Sequence, residues 1–132
     1  MKRYFIGAIL AALISEPLMA QGYTQRNRLT FTPLENGVRI EGETGHGARG
    51  TWCAAADYAR EKLGARGYQD LYVSEPRVRG LGKPNAVSFT LDPTGLTPSD
   101  VFIVGTSLSR KGARLSVDHA LTFCADLRLP NR

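Results

Sequence analysis

Residues 38–64 read VRIEGETGHGARGTWCAAADYAREKLG, and the fold turns on how this stretch divides. Its first part alternates, with Val38 and Ile40 apolar and Arg39, Glu41 and Glu43 polar, as a strand with one wet face does. From Thr51 the period changes. Trp52, Ala55, Ala56, Ala59 and Leu63 fall at helical spacing and form one apolar stripe, with Thr51 placed to cap the start and Gly64 to end the helix in the left-handed conformation. The alanines allow this helix to approach a sheet closely.

Between the two lies GHGARGT, residues 45–51, whose glycines fit the dinucleotide fingerprint G-x-G-x-x-G and, with Thr51, a phosphate-binding loop lacking its lysine. A dinucleotide fold needs a buried, continuously apolar first strand, and VRIEGE is not one. Glu75 mimics the ribose-binding acid, but no lysine precedes Thr51 to contact terminal phosphates. The glycines are therefore read as a sharp turn passing close to a helix start. What survives of the anion idea is a helix N-terminus with His46 and Arg49 beside it, where free N–H groups favour a carboxylate, sulfate or phosphate.

Working outward, Leu29 and Phe31 alternate in RLTFTP, and PLENG joins that stretch to VRIE as a hairpin in which Asn36-Gly37 supplies positive backbone dihedrals. Residues 68–74 and 86–91 read as further strands. The unbroken apolar run VFIVG, 101–105, reads as a strand covered on both faces. LSVDHALTFCADL fits both periods: Leu115, Val117, Leu121 and Phe123 alternate, whereas Val117, Ala120, Leu121 and Cys124 have helical spacing. Ser116 as N-cap with Asp118 in the first turn favours the helix. The expected fold is α+β, a small single domain with an antiparallel sheet of about five strands and two helices on one face, in the order ββαβββα.

The chain begins with Lys2 and Arg3, continues with an apolar run from Tyr4 to Ile14, and closes on SEPLMA, which is the pattern of a secretory signal peptide cleaved after Ala20. Eleven apolar residues are about half of what spans a bilayer. The expected organisation is a signal peptide at 1–20, a polar lead at 21–27, one domain at 28–129 and a tail at 130–132, with the product periplasmic or secreted. Of the 17 basic and 12 acidic residues, removal of Lys2, Arg3 and Glu16 leaves 15 and 11. That mild positive balance favours anionic surfaces and polymers without naming one.

Cys53 and Cys124 are the only cysteines, and an even count in a short exported chain is the pattern that a disulfide leaves. Closing a loop of about 70 residues contributes roughly 4 kcal/mol in the chain-entropy account. The same atoms admit two chemical readings. Cys53 at a helix start beside Arg49, with His119 as base, would make a thiol hydrolase. His46, Cys53, His119 and Cys124 together would make a Cys₂His₂ metal set, although six residues separate the first two and four the last two, not the tight spacing of structural zinc sites.

Arg77, Arg79 and Lys83 share one loop, and Arg110, Lys111 and Arg114 share another. If the loops meet at one end of the sheet, they form a patch for an anionic envelope polymer or a protein partner. Nucleic acid is excluded as the expected partner because aromatics do not interleave with these cations. Trp52, Tyr58, Phe89, Phe102 and Phe123 read as core or half-core. No cofactor motif, carboxylate pair or Ser-His-Asp order stands out, so the expectation is a disulfide-stabilised, non-enzymatic binding domain.

Overall fold

The computed structural model describes residues 29–125. The export signal, the polar lead, the tail and the outer margins of the expected domain lie outside the described residues. Strands β1 (Thr30–Leu34) and β2 (Gly37–Glu41) are followed by helix α1 (Gly47–Leu63), then by β3 (Asp70–Glu75), β4 (Ala86–Thr90) and β5 (Ser99–Asp100). A short helix α2 (Val104–Ser107), strand β6 (Ala113–Ser116) and helix α3 (Val117–Thr122) complete the described chain. The six strands form one sheet in the order β1-β2-β4-β3-β6-β5, antiparallel throughout except for the parallel β5–β6 pair. The α+β class holds, with one more strand and one more helix than the periodicity revealed.

Register explains which residues make the core. Val38 lies opposite Phe89, Ile40 opposite Val87, and Leu71 opposite Leu115, so the alternate positions of four strands bury one continuous apolar face. α1 packs on that face against β2 and against both other helices. Its stripe behaves as the spacing demands: Trp52, Ala55, Ala56 and Ala59 are fully buried, with the Trp52 ring edge-on to Phe89 at 5.0 Å. Tyr58 lies half-buried and stacks on Phe31 of β1 at 5.8 Å. Gly64 ends the helix at φ 64°, as expected.

Three local expectations need correction. The hairpin turn is Glu35-Asn36, where Asn36 alone has positive φ, 54°, and Gly37 is already paired in β2. Gly37 is required for a different reason: a Cβ there would run into the Phe89 carbonyl oxygen of the neighbouring strand. α1 starts at Gly47 rather than Thr51, with His46 at the N-cap position and no side-chain cap. The Thr44 hydroxyl instead accepts from the His46 N–H at 3.0 Å, and the Thr51 hydroxyl turns back to the Gly47 carbonyl. Gly45 and Gly47 take φ 79° and 61°, and a Cβ on Gly50 would strike the Thr44 hydroxyl. The glycine-rich stretch is thus the fold's own turn and helix entry.

The third correction concerns VFIVG. Only Ser99 and Asp100 pair with β6, at the sheet edge, and the Val101 N–H makes the last cross-strand bond, to the Arg114 carbonyl at 3.3 Å. Phe102 and Ile103 are 88% and 70% exposed, so this run is not a covered strand and Phe102 is not core. The reason lies in Trp52. Its buried indole N–H donates to the Ser107 hydroxyl at 2.8 Å, and that hydroxyl donates to the Val104 carbonyl at 2.6 Å. Satisfying the indole draws 104–107 into a helical turn, and Leu108, not Phe102, enters the core. The C-terminal ambiguity resolves sequentially: Leu115 belongs to β6, then Ser116 caps α3, accepting from the His119 N–H at 3.1 Å.

Candidate anion-binding site

The two cysteines come together first. Cys53 on α1 and Cys124, just past α3, are both buried and joined by a disulfide, with Cα atoms 5.1 Å apart. The bond uses both sulfurs, leaving no thiolate for the Cys53–His119 hydrolase or for the set of His46, Cys53, His119 and Cys124. The imidazoles are not gathered on it either. His46 is exposed at the start of α1, and His119 is exposed on α3 with its ring tilted against Phe123 at 5.6 Å.

The basic loops are positioned by strand ends. β3 is irregular between Val73 and Glu75, and after Pro76 the Arg77 N–H donates to the Leu108 carbonyl at 2.7 Å. That bond ties the start of the loop at 76–85 to Leu108, two residues before Arg110. At its other end the first loop is tied to the residues just past β2: the Gly42 N–H donates to the Asn85 carbonyl at 2.9 Å, and the Asn85 amide donates to the Gly42 carbonyl and to the Glu43 carboxylate. Lys83 N–H closes a turn onto the Gly80 carbonyl. A shallow cleft results, bordered by Glu43, Arg77, Arg79, Lys83 and Asn85.

Arg77 is the partly buried member of this group. Burial, and then the charge of Arg79, lower its pKa, with Glu43 acting in the opposite direction. Its Nε is covered and finds no acceptor among the described residues. A partly buried guanidinium repelled by a like charge gains from an anion placed between the two cations.

The second group is differently disposed: Arg110 and Lys111 lie in the turn before β6, but Arg114 is a residue of β6 itself, paired with Tyr72 and Asp100, and not of the loop. Arg114 Nε donates to the Asp100 carboxylate at 2.7 Å, which raises the Arg114 pKa, and an Arg110 guanidinium nitrogen donates to the Asp100 carbonyl at 3.3 Å. Lys111 is exposed in the turn before β6. Arg49 stands apart from both loops, with its guanidinium 5.2 Å from the centre of the Phe123 ring, beside a groove formed with His46, Phe102 and Ile103. The seven basic residues therefore fall into three groups. Two members went unnoticed in the sequence. Arg39, on the wet face of β2, borders an adjoining cleft with Glu75 and Lys83, and Glu43 supplies the cluster's acid; the alternation of VRIEGE was the available signal for both.

Fold and site together define a small, disulfide-bonded α+β domain with a cationic loop cluster at a sheet end. Comparison with protein-family models, with curated proteins and with solved structures gives no match. The functional reading accordingly rests on the chain's own chemistry.

Proposed function

We propose that this protein is an exported, non-catalytic binding domain that holds an anionic component of the cell envelope, or an acidic protein partner, on its basic loops. Export is supported by the signal-like pattern of residues 1–20 and by a disulfide of the kind that persists in oxidising compartments. Among the described residues no helix is long and apolar enough to cross a membrane. The single observation that carries the binding reading is the setting of Arg77: partly buried in a cleft with Arg79 and Lys83, repelled by Arg79, and without an acceptor for Nε among the described residues. An anionic oxygen entering the cleft would meet the Arg77 and Arg79 guanidinium groups together and offset their mutual repulsion.

The test is retention on an anionic polymer such as dextran sulfate. Replacing Arg77, Arg79 and Lys83 together with Ala is expected to weaken binding by about tenfold or more, since hydrogen bonds to charged groups contribute roughly 1.5–3 kcal/mol each. Arg60→Ala serves as the control. That guanidinium is exposed on α1 and paired with Asp57 at 3.0 Å, and its loss changes net charge without touching the loops. Equal loss from the control, or none from the triple variant, would count against the assignment.

A further inference from the structure

We propose that the loop at 76–85 docks on the surface of an anionic phospholipid bilayer, with Leu81 and Val78 entering the interfacial layer while Arg77, Arg79 and Lys83 pair with phosphate oxygens. The inference rests on the binding reading above and narrows its partner. Its basis is the order of residues 77–83, RVRGLGK, where cations and apolar side chains share one short turn. Leu81 is fully exposed and Val78 is 58% exposed. A lone exposed leucine is ordinary on a protein surface; two apolar side chains held within a cluster of three cations are not.

A soluble anion has no use for the apolar pair. Phosphate, sulfate or a glycan acid would be recognised by Arg77, Arg79 and Lys83 alone, leaving Leu81 in water. A lipid surface uses both kinds of group, because interfacial binding adds the burial of apolar area below the headgroups to the attraction between cations and anionic lipid. The loop is built to present them. It is tied at its base to Leu108 and at its end to Gly42, and the turn carrying Leu81 is closed by the Lys83-to-Gly80 bond. The excess of basic over acidic residues left after signal removal, 15 against 11, agrees with an anionic partner. Among the described residues no helix is long and apolar enough to cross a bilayer.

The experiment is co-sedimentation of the full chain after signal removal with two kinds of vesicle, phosphatidylcholine alone and an equimolar mixture of phosphatidylcholine and phosphatidylglycerol. Binding is expected to the mixed vesicles and not to the neutral ones. Val78→Ser with Leu81→Ser is expected to lower the partition coefficient by about tenfold or more, from the loss of buried apolar area. Both residues are exposed, so the buried Trp52, the only tryptophan, should keep its emission and report an intact fold. The same double variant should retain dextran sulfate as well as the parent does. Vesicle binding indifferent to the two serines would overturn the proposal. So would retention of dextran sulfate or polyglutamate with no affinity for mixed vesicles, which would leave the loop an anion site for a polymer or an acidic protein. Failure on polymer and vesicle alike would remove the broader binding reading as well.

Discussion

Two regions of this molecule treat their polar atoms in opposite ways. Around Trp52 and Cys53, each group that could react or bind is used internally: the indole N–H on Ser107, the Ser107 proton on Val104, and the Cys53 sulfur on Cys124. In the loop at 76–85, Arg77 keeps a covered Nε with no acceptor among the described residues, and Leu81 keeps its whole side chain in water. The first region contains the chain's most chemically reactive residues and spends them on holding the helices to the sheet. The second contains ordinary surface residues and leaves them unspent. Function is better sought where local free energy has not been minimised than where reactive residue types occur.

The largest expected effect tests the internal region. Replacing Cys53 and Cys124 together with Ala should lower unfolding free energy by about 4 kcal/mol in the chain-entropy account, out of the roughly 5–15 kcal/mol typical of a domain. Urea unfolding of parent and variant measures it. If the disulfide belongs to the scaffold alone, the folded fraction of the variant should bind dextran sulfate as the parent does. A change of less than about 1 kcal/mol would show that the helices are held by packing and that the bond adds little.

How much of this division was legible in sequence depends on whether one local rule sufficed. The β1–β2 hairpin, the alanine stripe of α1 and its end at Gly64 were readable because period and cap agree there. The cysteine pairing followed from their number and the export pattern. The failures arose where a distant residue decides. Nothing in VFIVG reveals that Trp52 will claim Ser107, so an apolar run read as a covered strand became an extended exit from the edge strand Ser99–Asp100, an exposed Phe102 and the start of a helical turn. Thr51 was a better cap on paper than His46, but the preceding glycines, poor in helix propensity, conceal a first turn that already exists. At the C-terminus both periods were real, one after the other, meeting at Ser116. The basic loops were visible as loops. Their division was not, because Asp100 takes Arg110 and Arg114 while Glu43, far from loop 76–85 in sequence, comes to border Arg77.

A smaller effect probes that long-range decision. Ser107→Ala leaves the Trp52 indole N–H buried without an acceptor and should cost about 1–3 kcal/mol. Trp52→Phe with Ser107→Ala removes donor and acceptor together. The double variant should therefore lose less than the sum of the two single losses, and thermal or urea unfolding of all four proteins gives the coupling. Strict additivity would mean that the hydrogen bond does not set the path of residues 104–107.

The smallest expected change in stability bears directly on the contrast between spent and unspent charges. Asp100 engages the second basic group, through its carboxylate on Arg114 of β6 and its backbone carbonyl on Arg110 of the preceding turn, at a site where both side chains of the ion pair are substantially open to water. Surface pairs of this kind are screened and contribute little, so Asp100→Asn should leave the urea midpoint within error of the parent. Its effect on binding should be the larger one. The substitution removes a negative charge beside Arg110 and Arg114 and releases the Arg114 guanidinium from its partner, so retention on dextran sulfate should move to higher salt. Arg114→Ala in the same background should return it towards the parent's value. If Asp100→Asn changes neither stability nor retention, the second loop takes no part in holding anions, and the candidate site contracts to Arg77, Arg79 and Lys83, where an internal counter-ion was never supplied in full.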